Sequence, residues 1–179
     1  EFENLREAAR DLKNHVLANL DLYLETYERN VAAAGGKVHF ARNSAEACET
    51  IVNICKAHGA KSVTKGKSMV SEEIGLNAAI EAAGMQAVET DLGEYIIQLR
   101  GETPSHIIAP AVHLTKEQVE GDFRRVHTHL ESARDLSEPV QLLTEARGVL
   151  RKKFLAADVG VTGANFLIAE TGTSIIVTN

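Results

Sequence analysis

The sequence predicts an α/β domain whose sheet is mostly parallel and flanked by helices. Three observations carry this reading. Short β-rich runs alternate with amphipathic stretches of helical spacing from Lys37 to Phe154, the alternation that builds βαβ units. Glycines stand where helices should stop, at Gly35-Gly36, Gly59 and Gly84. The segment Gly160 to Asn179, GVTGANFLIAETGTSIIVTN, holds two apolar runs around Gly-bearing turns, which reads as two strands.

Taken in order, apolar side chains at Leu5, Ala9, Leu12, Val16, Leu20, Tyr23, Tyr27 and Val31 keep the rhythm of an amphipathic helix. At 1.5 Å per residue such a helix runs roughly 40 Å, so a break near Asn19–Asp21 is expected. Residues 1–36 are read as an N-terminal helical segment and 37–179 as the α/β domain. Lys37–Phe40 is expected to be a short strand. Asn43 caps a helix from Ser44 to His58, with Glu46 placed for a capping box. Strands follow at Ser62–Thr64 and Gln86–Glu89, with a helix from Ser71 to Ala83 between them. A helix near Leu92–Leu99 leads to an expected strand at Ile107–Ala109. Thr115-x-x-Gln118 opens a helix towards Val126. The stretch from His127 to Leu136 is polar and indeterminate. Ser137-Glu138-Pro139 starts the last long helix, with Leu143, Ala146, Leu150 and Phe154 as its expected core stripe.

A chain of 179 residues with 44% hydrophobic content can bury one substantial core. Its net charge of −6 argues against a nucleic-acid surface, which needs a basic face. No apolar run approaches the roughly 20 residues of a membrane span, and no signal-peptide pattern opens the chain. Cys48 and Cys55 are the only cysteines. Seven residues apart on one helix, they lie about 10 Å apart along its axis, too far for a disulfide. They read as small core-facing hydrophobes in a reducing cytoplasm. The chain neither begins with Met nor ends at a natural stop, and is read as a piece of a longer protein.

Candidate chemistry gathers at three turns. Lys65-Gly66-Lys67-Ser68 runs from a strand end towards a helix start, where N–H donors and two lysines favour an anion. The same residues also read as a helix cap beside solvated lysines. Thr162-Gly163-Ala164-Asn165 and Glu170-Thr171-Gly172-Thr173 are the other two turns. Open α/β sheets bind ligands at the carboxyl ends of their strands, so the three turns are expected to share one rim around a small anionic ligand. Thr162, Gly163, Asn165, Thr171, Gly172 and Thr173 are candidate ligand contacts, with His113 placed to reach the same rim. Glu170 is the lone carboxylate of the C-terminal hairpin, read as base, nucleophile or clamp, or as a turn residue in water. His127-Thr128-His129 matches no metal motif.

The stretches FENLREAARDLKNHVLANLDLYLE, TKGKSMVSEEIGLNAAIEAAG, ETDLGEYIIQL, PSHIIAPAVH and KFLAADVGVTGANFLIAETG resemble the LUD (lactate utilization) domain family. The likeness covers nearly the whole chain and lies closest to the family's iron–sulfur electron-transfer proteins. It implies a Rossmann-like fold similar to the ribose-5-phosphate isomerase and CoA-transferase group. Within that group, TGAN looks like the DGAD turn of sugar-phosphate isomerases, and AETGT is similar in place to the Glu-Asn-Gly turn of CoA transferases. The resemblance further implies a role in oxidising L-lactate to pyruvate, within a bacterial, cytoplasmic complex of three different proteins. Electrons would pass through [4Fe-4S] clusters in a C-terminal ferredoxin-like part. No CxxCxxC run occurs here, so no cofactor is expected in these residues, and the stretch is expected to dock partners, bind a small anion, or both. An isomerase- or CoA-transferase-like activity through Glu170, on a small phosphorylated or CoA-linked substrate, is the alternative.

Overall fold

A computed structural model of the chain describes residues 1–106 and 108–177. In chain order its elements are α1 (Phe2–Ala18), α2 (Leu20–Ala33), α3 (Ser44–Ala57), β1 (Ser62–Gly66), α4 (Met69–Glu73), α5 (Leu76–Ala82) and β2 (Gln86–Glu89). There follow α6 (Leu92–Arg100), α7 (Lys116–Val126), α8 (Pro139–Ala156), β3 (Val159–Thr162), β4 (Phe166–Ile168) and β5 (Thr173–Ile175). The chain divides into two units, Glu1–Phe40 with the residues from Ala164 on, and Ala41–Gly163.

In the first unit the expected N-terminal helix breaks at Asn19, whose side chain donates to the His15 carbonyl at 2.8 Å. β4 and β5 form an antiparallel hairpin with Phe166 opposite Ile175 and Ile168 opposite Thr173. α2 anchors its turn. Asn30 Nδ2 donates to the carbonyls of Ala169 and Glu170 at 2.8 and 2.9 Å, and the Tyr27 and Ser174 hydroxyls share a 2.7 Å hydrogen bond. Lys37–Phe40 is not a strand, a correction of the sequence expectation: no strand among the described residues pairs with it and Phe40 is exposed.

The second unit is the parallel α/β sandwich. Its sheet has the order β2-β1-β3, all parallel, with Val63 beside Ala87 on one side and Val159 on the other. Side chains alternate between its faces. Val63 and Ala87 point to a core shared with Val52 and Cys55 of α3 and Leu76 and Ile80 of α5. Val88 points the other way, into a core with Tyr95, Ile96, Phe123, Leu142, Ala146 and Leu150 from α6, α7 and α8. Burying both faces is what lets a short parallel sheet stand without alternating polar residues.

Local chemistry explains most element ends. Asn43 Oδ1 accepts from the Glu46 N–H at 3.0 Å, but the Glu46 carboxylate turns to the Arg42 N–H instead of closing the expected box. Thr115 and Gln118 do close one. The helix expected over Ser71–Ala83 is interrupted at Gly75, whose φ of +71° is left-handed. On α8 the expected stripe is rotated. Ala146 and Leu150 are buried, joined by Leu142 and Val149, while Leu143 and Phe154 are 51% and 57% exposed. Of the strand expected at Ile107–Ala109, Ile107 lies outside the described residues, and Ile108 and Ala109 are not extended into a ladder. β3 was not foreseen: Val159-Gly160-Val161-Thr162 is too short and glycine-broken to signal a strand alone.

Candidate functional site at the carboxyl end of the sheet

β1 delivers Lys65 to the end of the sheet, on the same face as Val63 and opposite Glu89 in the ladder. Both are almost fully buried, at 2% and 3% exposure. The Lys65 ammonium bonds the Glu72 carboxylate and lies 2.7 Å from Glu89 Oε1. Asn77 Nδ2 donates to the same Glu89 oxygen at 2.6 Å, and the Glu89 N–H donates to Gln98 Oε1 at 3.0 Å. Burial pushes the Glu89 carboxyl above the ordinary glutamate range, against the opposing pull of hydrogen bonds from Lys65 and Asn77. Asn77 Oδ1 is buried with no hydrogen-bond partner among the described residues. A cleft of about 490 Å³ opens beside this cluster, lined in part by Glu72, Asn77, Glu89, Gln98 and Glu102.

Beyond Lys65 the turns after all three strands crowd together. A Cβ on Gly66 would stand 2.5 Å from Thr90 Oγ1, which itself donates to the Lys65 carbonyl at 2.9 Å. Lys67 is held in the left-handed region at φ +59°, a costly place for a side-chain-bearing residue. Asp91 supports it, with one oxygen 3.1 Å from the ammonium and the other accepting from the Lys67 N–H at 3.3 Å. A Cβ on Gly163 would fall 2.2 Å from the Lys67 carbonyl oxygen, so only glycine fits there. Ser68 Oγ caps the short α4, accepting from the Ser71 N–H at 3.2 Å. The Thr162 hydroxyl is exposed and donates to the Gly163 carbonyl at 3.2 Å.

Of the predicted residues, Lys65, Gly66, Lys67, Ser68, Thr162 and Gly163 are therefore neighbours in the second unit. His113 belongs to that unit too. Its Nε2 lies 3.0 Å from Glu102 Oε2, on the cleft wall, and its Nδ1 lies 2.8 Å from Ser105 Oγ. Hydrogen bonds from His113 and then Arg100 hold the Glu102 carboxyl below its usual range. Asn165 and Glu170–Thr173 belong to the first unit. Asn165 Oδ1 accepts from the Val177 N–H at 2.8 Å, Gly172 adopts φ +70° against the backbone of Asn30 and Val31, and the Thr171 hydroxyl donates to Thr173 Oγ1. The Glu170 side chain is exposed.

Sequence reasoning missed Glu89, Asn77 and Gln98. A glutamate closing the otherwise buried run Ala87-Val88 was the available signal. It also missed a second buried network in the indeterminate stretch. His127 Nδ1 lies 2.7 Å from Glu145 Oε1 and its Nε2 lies 2.8 Å from the Tyr95 hydroxyl. Arg134 Nε donates to Glu145 Oε2 at 2.5 Å. Burial, and then the Glu145 charge, pushes the Tyr95 phenol up to about 12.

No group of three or more His, Cys, Asp or Glu suited to a metal exists among the described residues. Cys48 and Cys55 are free thiols on one helix, the first donating to the Ile74 carbonyl. Two thiolates do not complete the four-cysteine ligation of a [4Fe-4S] cluster, so these residues do not fit that group. No helix among the described residues is long and apolar enough to cross a membrane.

The LUD domain family model matches residues 24–179. Lactate utilization protein B of Bacillus licheniformis is 48% identical over 179 residues, covering 99% of this chain and 37% of the relative. The proteins of that name from Macrococcus caseolyticus and Bacillus subtilis are 48% and 46% identical, again over 99% of this chain. The chain thus spans little more than a third of the length of these curated relatives. No solved structure matches. Both the extent of the family match and the quoted stretches within it lead to one assignment: the chain belongs to the LUD domain family.

Proposed function

We propose that this chain is the LUD domain of a protein that takes part in L-lactate utilization. The observation that carries the reading is the identity of 46–48% over 99% of the chain with relatives named Lactate utilization protein B. In this reading a cytoplasmic complex with two further proteins oxidises L-lactate to pyruvate, releasing two electrons and two protons. The electrons travel through iron–sulfur clusters held outside these residues, since the two thiols here do not suit a cluster. The domain docks partners and holds the small carboxylate near the Lys67–Ser68 and Thr162–Gly163 turns. The full reading frame containing this chain should restore growth on L-lactate to a bacterium deleted for its own Lactate utilization protein B. Failure to restore growth, with the protein expressed and folded, would sink the reading.

A second reading is favoured by the C-terminal hairpin turn. Asn30 and the left-handed Gly172 fix its backbone while leaving the Glu170 carboxylate exposed. In that reading Glu170 acts on a CoA-linked or phosphorylated substrate. Assays with acyl-CoA donors and sugar phosphates would show turnover lost in Glu170→Gln. Equal turnover by both proteins, or none by either, counts against it.

A further inference from the structure

A separate cavity of about 430 Å³ opens on the α8 side of the sheet, just past the end of β2. Its size falls within the range of small-molecule sites, and its position at the carboxyl end of a parallel strand is where open α/β sheets take ligands. Ala146 and Leu150, members of the hydrophobic core, line it. Leu92, Leu143 and Phe154 line it as well, and all three are exposed to solvent. The first property of the cavity is therefore a largely apolar lining that is open to solvent.

The second property is charge. Arg147 and Arg151 line the same cavity, one turn apart on α8. Every other arginine of the second unit holds a carboxylate: Arg42 on Glu46, Arg100 on Glu102 and Asp122, Arg124 on Glu120, Arg125 on Asp122, Arg134 on Glu145. Arg147 and Arg151 alone have no such partner among the described residues. The contrast matters in a chain of net charge −6 with 25 acidic residues, where pairing an arginine is easy. Guanidinium groups left open beside an apolar cavity match a planar oxyanion, which they bind with parallel N–H···O bonds.

We infer that this cavity binds a small amphipathic oxyanion: an aromatic or branched aliphatic body bearing a carboxylate or a phosphate. Arg147 and Arg151 hold the oxyanion, and Leu92, Leu143 and Phe154 enclose the body. The inference does not depend on the role in lactate utilization, because it uses neither Lys65 nor the turns around Lys67.

Naphthyl phosphate, naphthoate and uncharged naphthol are suitable probes, titrated into the protein by calorimetry with amide NMR shifts to locate binding. Both anions should bind, with shifts centred on Thr90, Leu92 and Ala146. Naphthol should bind at least roughly tenfold more weakly, the equivalent of one charge-assisted hydrogen bond. Arg147→Gln with Arg151→Gln should bring the anions down to the affinity of naphthol. These arginines are exposed, so the variant should keep the native fold, which circular dichroism would check. The tighter of the two anions identifies the oxyanion class. Naphthol binding as tightly as the anions, unchanged affinity in the double variant, or shifts located elsewhere would each overturn the inference.

Discussion

Replacing Lys65 by Met tests the buried cluster at the end of the sheet. The substitution keeps most of the side-chain volume but removes the cation between Glu72 and Glu89. Glu72 is 37% exposed at its side chain and can rehydrate, whereas the Glu89 side chain, 4% exposed, cannot. Breaking a buried pair by deleting one partner costs about 3–5 kcal/mol. Because Asn77 still donates to Glu89, the lower end, about 3 kcal/mol, applies. For a domain of this size that is a fall in melting temperature of roughly 6–12 °C. Circular dichroism is the assay of choice, as the chain has no Trp. The sign with pH follows from Glu89. Its folded carboxyl is already raised by burial, and losing Lys65 removes the hydrogen bond and charge that lower it. A raised carboxyl supplies stability below its unfolded value, near ~4.3, and that stability is lost as pH rises through the folded value. The deficit of Lys65→Met should therefore be largest at neutral pH and narrow on acidification. Adding Glu89→Gln should recover much of it. An unchanged melting temperature, or a deficit indifferent to both pH and Glu89→Gln, would refute the reasoning.

Three further outcomes can be measured on the same protein. Glu145→Gln should destabilise by up to about 3 kcal/mol, since it leaves the partly buried guanidinium of Arg134, 15% exposed, without its carboxylate; urea titration would show it. Burial alone would raise Glu145, but hydrogen bonds from Arg134 and His127 bring it below the usual range. Its contribution is accordingly present above the unfolded glutamate value and fades as pH falls through the folded one. Ultraviolet titration should reveal a phenol ionising at about 12 that disappears in Tyr95→Phe. Gly163→Ala should cost about 1–3 kcal/mol through its clash with the Lys67 carbonyl, visible as a lowered urea midpoint, and should shift the amide resonances of Lys67 and Ser68.

The α/β class was legible because helix caps and glycine stops are local chemistry. Asn43, Thr115 and Pro139 each mark their helix start within a residue. The α8 stripe was not, because Leu142 and Leu143 satisfy helical spacing equally well and only packing against α7 and the sheet chooses between them. Lys65 was legible as a residue of interest but not in its setting. Its partner Glu89 is 24 positions away and meets it only through strand register. His127 carried no signal at all: its partners Tyr95 and Glu145 lie on two other helices. The glycines at 66 and 163 stood out in the sequence, and the close approaches of Thr90 and Lys67 supply the reason.

Membership of a lactate-oxidising assembly is the claim on which the functional account rests. The most direct measurement is L-lactate-dependent reduction of an electron acceptor by the proposed three-protein complex after reconstitution, with the protein carrying this domain either included or left out. Pyruvate formation coupled to acceptor reduction is expected only when that protein is present. Equal lactate oxidation without it would contradict membership of the assembly.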